Sequence, residues 1–148
     1  MPLKRLSNEP RSRVLTQTAL GRWSGVEAEP YKKETNTYRG VSRYELVGKQ
    51  GERTAFHTRY FEIEPNGFST LERHQHEHVV IVVRGQGEVQ LGCEIRDLAP
   101  GDIVYVCPNE AHQFRTKGAE PFGFLCMVDA KRDRAKPLKH GETCAICE

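Results

Sequence analysis

The chain has 148 residues, 22 basic against 20 acidic side chains and a formal charge of +2. That length fits one domain with extensions, and interspersed charge argues against a nucleic-acid partner, which needs a basic face. No stretch approaches the ~20 apolar residues of a membrane span. The N-terminal MPLKRLSNEPRSR has no apolar run of signal-peptide length, so a cytoplasmic protein with no membrane partner is expected.

Residues 1–40 show neither helical nor strand periodicity and are expected to form an N-terminal arm draped over the body or a neighbouring subunit. From Val41 the pattern changes to short β-rich runs: VSRYELVG, TAFHTRYFEIEP, HVVIVV, EVQL, EIRDL, DIVYVC, HQFRT and PFGFLCMV. Glycines in RGQG (84–87) and LGC (91–93) supply the positive φ that tight hairpins favour. Pro100-Gly101 is the preferred central pair of a type II turn. Many short strands with such turns and no amphipathic helical pattern predict an all-β sandwich or barrel over 41–129. HVVIVV and IVYV are apolar at nearly every position, so both faces of these strands are expected to be covered, one by a second subunit. A homodimer is the expected assembly.

Residues 130–148 are polar and broken by Pro137 and Gly141, and read as a tail. The basic excesses at Lys4–Arg13 and Lys131–Lys139 read as solvated extensions. Five cysteines, an odd number, do not make a full disulfide framework. Cys93, Cys107 and Cys126 read as buried small hydrophobes. Cys144 and Cys147 form a CxxC with His140 nearby. Three ligands are too few for a structural zinc, and an exposed tail, a disulfide, a shared metal and redox sensing all stay open for it.

The chemistry concentrates in TLERHQHEHVVIVVRG, residues 70–85. A strand period of two puts Glu72, His74, His76 and His78 on one face. At ~3.3 Å per residue a straight strand spreads them over about 20 Å, whereas ligand atoms approach a zinc-like ion to ~2.0–2.2 Å. The chain must therefore bend here, and at least one of the four is expected not to be a ligand.

PNGFSTLERHQHEHVVIVVRGQGEV followed by DLAPGDIVYVCPNEAHQF resembles the two sequence motifs of the small cupins. Gly67 and Gly85 mark the first motif; Pro100, Gly101, Asp102, Pro108 and His112 mark the second. The resemblance covers residues 41–129 and implies a single cupin jelly-roll barrel. It places the metal ligands at Glu72, His74, His78 and His112, with a glutamate at 72 where a histidine is usual and His76 turned away. A competing register uses His74, His76 and His112, with His78 in support. A divalent transition metal (Fe, Mn, Ni or Zn) suits such imidazole and carboxylate donors.

On the preceding strand, His57, Arg59, Phe61 and Ile63 share one face, and Phe56, Tyr60 and Glu62 the other. If the first set faces inward, Arg59 can bind a substrate carboxylate and His57 can act as acid or base. Phe114 shares the face of His112 and is expected to wall the same pocket. The implied function is a metal-dependent enzyme, dioxygenase-like or isomerase-like, acting on a small organic molecule. A non-catalytic binding or sensing cupin with a structural metal is the alternative.

Overall fold

The computed structural model describes residues 9–33, 35–133 and 135–138. The tail motif with His140, Cys144 and Cys147 lies outside the described residues. Thirteen strands are present and no helix among the described residues: β1 (Gln17–Ala19), β2 (Arg22–Trp23), β3 (Glu29–Pro30), β4 (Arg39–Val47), β5 (Phe56–Phe68), β6 (Glu72–Arg73), β7 (His78–Arg84), β8 (Gly87–Leu91), β9 (Glu94–Leu98), β10 (Ile103–Val106), β11 (His112–Thr116), β12 (Phe122–Asp129) and β13 (Lys136–Pro137). Among the described residues no helix is long and apolar enough to cross a membrane.

β1 and β2 pair with each other in the arm, and the other eleven strands form two curled antiparallel layers. One runs β10-β7-β12-β5-β4-β3, the other β9-β8-β11-β6-β13. The far end of β5 crosses between them, pairing Phe68 with Arg115 of β11. The expected jelly roll is thus the observed one. The turn at Pro100-Gly101 also forms as expected: Gly101 has φ +96°, and Asp102 N–H donates to Ala99 O at 3.0 Å.

Side chains alternate across each strand, so each layer presents one face to the interior. Val41, Phe61, Ile63, Val80, Phe114 and Phe124 are among the residues that fill the space between the layers. The tail is not wholly strand-free, because Lys136–Pro137 pairs with β6. Cys126 is buried and Cys107 half-buried, but Cys93 is exposed. It sits at the turn joining β8 and β9, beyond the reach of the core.

Strands β7 and β10 depart from expectation. Their burial alternates, and Val79, Ile103 and Tyr105 stand 38, 68 and 55 % exposed. Within one chain the inner face is covered, and of the outer face only the Val83 end of β7, which meets a second apolar cluster; β10 is the edge strand and nothing among the described residues packs outside it.

The outer face of β4 and β5 is covered, by the arm. Tyr44, Leu46 and Tyr60 form a second apolar cluster with Leu15, Trp23 and Val26. Arg22 grips Glu62 through both guanidinium nitrogens, at 2.7 and 3.0 Å, and the Tyr60 hydroxyl donates to the same carboxylate at 2.8 Å. Gly21 and Gly123 leave room for that hydroxyl; a Cβ on either would lie within 2.5 Å of it. Burial opposes the charge on Glu62, but Arg22 and Tyr60 outweigh it and hold the carboxyl below its ordinary 4.5.

A depressed folded-state pKa stabilises the fold above the unfolded value and is lost as pH falls through the folded one. Glu62→Gln is therefore expected to cost about 1–2 kcal/mol near neutral pH and to lower Tm by ~3–8 °C. Thermal melts should show the gap to wild type shrinking below pH 4.5. A gap unchanged by acid would mean that the Glu62 charge contributes nothing.

Candidate metal centre

The chain does bend within the histidine-rich stretch. β6 ends at Arg73 in one layer and β7 begins at His78 in the other, so residues 74–77 turn the chain across the barrel mouth. Glu72 on β6 faces His112 on β11 as a cross-strand pair. The ligand-bearing atoms of Glu72, His74 and His112 lie within 4.8 Å of one another, and so do those of His74, His76 and His78. His74 belongs to both groups, and its Nε2 is 2.7 Å from Nε2 of His78.

The other ring nitrogens are taken. His74 Nδ1–H donates to His76 O at 2.7 Å, and His112 Nδ1–H donates to Glu110 O at 2.9 Å. These bonds leave both Nε2 atoms as bare lone pairs, the arrangement that supporting carbonyls impose on metal-binding imidazoles. Burial pushes His74 down to about 4, with His112 and His76 adding to it. Burial also lowers His112 and takes His78 well below its ordinary value. All three rings are neutral at pH 7, the form that binds metal.

Ring spacing sets His76 apart from His74, though not from His78, whose ring centre is 5.2 Å away. Two imidazoles on one ion at ~2.1 Å, set 90–110° apart, hold their ring centres about 4.5–5.5 Å apart. The pairs His74–His78, His74–His112 and His78–His112 stand at 4.5, 4.7 and 5.3 Å. His76 instead stacks flat on His74, with centres 3.6 Å apart and planes within 4°. Its Nδ1 meets Asp133 Oδ1 at 2.9 Å. Glu72, 8 % exposed, is ion-paired with Lys32 of the arm.

The cluster opens into a cavity of about 240 Å³. Val41, Phe61, Ile63, Phe114 and Phe124 form its apolar wall, and Lys32, Arg43, Arg59 and Arg132 its cationic one. Arg59 faces inward and is 9 % exposed. Its guanidinium lies over the Phe61 ring at 4.8 Å and points Nη2 at Cys126 Sγ, 3.5 Å away. Cys126 Sγ in turn contacts His78 Nδ1 at 3.0 Å. Burial pushes the Cys126 thiol up, and Arg59 pulls it back.

His57 is half-buried and does not line the cavity; its Nδ1 accepts from Arg132 at 3.0 Å. Glu72, His74, His78, His112 and Arg59 are thus brought together, with His57 one step behind. Tyr31, Lys32, Arg132 and Cys126 also face the cavity, which the sequence pattern did not indicate. The β12–β5 register brings Cys126 there as the cross-strand partner of Arg59; its signal in the sequence was only the alternation of FLCMV, which puts Phe124, Cys126 and Val128 on one face. The others had none.

The Cupin domain family matches residues 59–128. A 1-methylthio-D-xylulose 5-phosphate methylsulfurylase from Rhodospirillum rubrum is 43% identical over 114 residues, 76% of this chain and 72% of the relative. The chain is a cupin. A cupin 2 conserved barrel domain protein from Rhodopseudomonas palustris superposes with a TM-score of 0.82 at 40% identity, covering 91% of this cupin and 92% of that chain. A cupin 2 domain-containing protein from Halorhodospira halophila has a TM-score of 0.67 at 43% identity over 93% and 92% of the two chains. In this cupin, neutral imidazoles beside a carboxylate form a donor set that could hold a borderline divalent metal.

Proposed function

We propose that this cupin is a metal-dependent enzyme that removes a methylthio group from the carbon next to a ketone in a small phosphorylated sugar. The observation that carries the reading is a triad of neutral, correctly spaced imidazoles, His74, His78 and His112, beside Glu72 and facing a cavity with both a thiol and a cationic wall. These four residues would hold a divalent Fe, Mn, Ni or Zn ion, and His76 would stay outside the coordination sphere. The methylsulfurylase relative acts on 1-methylthio-D-xylulose 5-phosphate by its name. Of the two reaction classes expected, isomerase-like enolate chemistry suits that substrate, and no dioxygenase step is needed.

Bound metal would supply a Lewis acid that polarises the ketone. The chain's own residues do the rest. Among the described residues the cavity wall carries one thiol, Cys126. Its sulfur attacks the methylthio sulfur, an S–S bond forms, and the carbon–sulfur electron pair moves into the enolate. A proton at that carbon then gives the methyl ketone. A small thiol exchanges with the Cys126 methyl disulfide and restores the enzyme, so that one thiol and one thioether become one disulfide and one methyl group. Burial raises the Cys126 thiol and Arg59 beside the sulfur offsets part of that rise, while the apolar wall excludes water from the enolate.

The test supplies metal-loaded protein with 1-methylthio-D-xylulose 5-phosphate and dithiothreitol and follows the new C1 methyl by proton NMR. Metal- and protein-dependent appearance of that signal is expected; none with any of the four metals would defeat the reading. The exposed face of Val79, Ile103 and Tyr105 supports a homodimer, and a cytoplasmic location fits the use of a reducing thiol. Sedimentation of the same preparation as a monomer at all concentrations would contradict the dimer.

A further inference from the structure

We infer that Arg59 and Arg132 form a phosphate subsite that holds the substrate's phosphoester beside the metal centre. The inference rests on the proposed reading of the cavity as the substrate site and adds what selects the substrate. Neither guanidinium has a carboxylate partner within salt-bridge distance among the described residues. Arg59 is 9 % exposed, lines the cavity and leaves its Nε without a hydrogen-bond partner. A buried cation without a counter-charge is strongly disfavoured unless an anion joins it.

Arg132 is held in place to serve the same point. Its Nη1 donates to Asp129 O at 2.7 Å and to His57 Nδ1 at 3.0 Å. Burial and the nearby Arg59 charge both lower its pKa, which marks two guanidinium groups that repel each other. Glu45, the cross-strand neighbour of Arg59, offsets part of that repulsion through its charge but forms no ion pair with either guanidinium; its Oε1 is held by Arg43 Nε and Lys49 Nζ at 3.2 and 3.3 Å. His57 thereby acquires a role as a positioning residue for Arg132.

Two forks with two charges match a phosphate monoester, a dianion with three terminal oxygens, better than a carboxylate, which one arginine fork can saturate. The location fits as well. Arg59 touches Cys126, and Cys126 touches the far nitrogen of His78, so the subsite stands one imidazole away from the metal position. A ketone and a phosphoester separated by a short carbon chain can occupy both places in one molecule.

Calorimetric titration of the metal-loaded protein tests this with ligands that lack the thioether and are not turned over by that reaction: D-xylulose 5-phosphate, D-xylulose and inorganic phosphate. The phosphate ester is expected to bind at least 100-fold more tightly than D-xylulose, and inorganic phosphate to compete with it. Arg132→Gln should cut that preference at least tenfold, with metal content unchanged. Arg59→Gln should do the same where it folds, and Arg132 is only half-buried, so its variant decides the matter. Equal binding of the two xyluloses, or a wild-type preference in Arg132→Gln, would overturn the subsite. A phosphate preference without thioether cleavage would sink the reaction alone; cleavage without the preference would sink the subsite alone.

Discussion

Replacing His74 with alanine is expected to lower bound metal from about one ion per chain to under a tenth of that. His74 is the residue common to both clusters of ligand-bearing atoms, and its Nε2 faces that of His78 at 2.7 Å. Loss of a supporting contact behind a metal-binding histidine already costs ~10–100-fold in affinity, and loss of the ligand itself removes more. The fold should survive, because the bend at 74–77 is also tied by Asp133, which accepts the backbone N–H groups of Gln75 and His76. His76→Ala is the matched control. Its side chain stacks on His74, but its carbonyl, which orients His74, remains after substitution. Elemental analysis after dialysis should find the metal nearly intact in His76→Ala and absent in His74→Ala. Equal loss in both would place His76 among the ligands.

The second large effect is expected at Cys126. Cys126→Ala should reduce methylthio release by ~10³-fold or more, as loss of a covalent nucleophile does, while metal content stays at the wild-type level. Cys126→Ser should fare no better, since a hydroxyl cannot accept a sulfur in exchangeable form. Both variants are small changes at a 2 % exposed position, so a large loss of activity with a preserved melting temperature points to chemistry rather than packing. Mass spectrometry of wild type mixed with substrate and no added thiol should detect one methylthio group on the peptide that contains Cys126. Full activity in Cys126→Ala would show that the sulfur leaves by another route.

Residues whose placement depends on near neighbours are legible in the amino-acid sequence alone. Pro100-Gly101 announces its turn through backbone preference, and the alternation in HTRYFEI separates Arg59, Phe61 and Ile63 from Tyr60 and Glu62, as the strand does. The bend between Glu72 and His78 is legible too, because a straight strand is too long for one ion. Features set by packing between distant segments are not legible. Lys32 reaches Glu72 from an arm without periodicity, because Trp23 and its neighbours dock on β4 and β5. Arg132 reaches the cavity only after β12 ends, steered by the Asp129 carbonyl and His57. The run HVVIVV misleads in a different way: continuous apolarity implies two covered faces, but a single chain covers one fully and the other only at Val83. Sequence composition cannot say whether the second cover belongs to the same molecule.

Glu72, His74, His78 and His112 are expected to bind one metal ion at the cavity mouth, with His76 excluded. Anomalous diffraction from crystals of the metal-loaded protein tests it most directly. One strong anomalous peak is expected within ~2.0–2.2 Å of His74, His78 and His112 Nε2 and of a Glu72 oxygen freed from Lys32, with a coordination position facing the cavity. A peak ligated by His76 in place of His78 or Glu72, or none at this cluster, would contradict it.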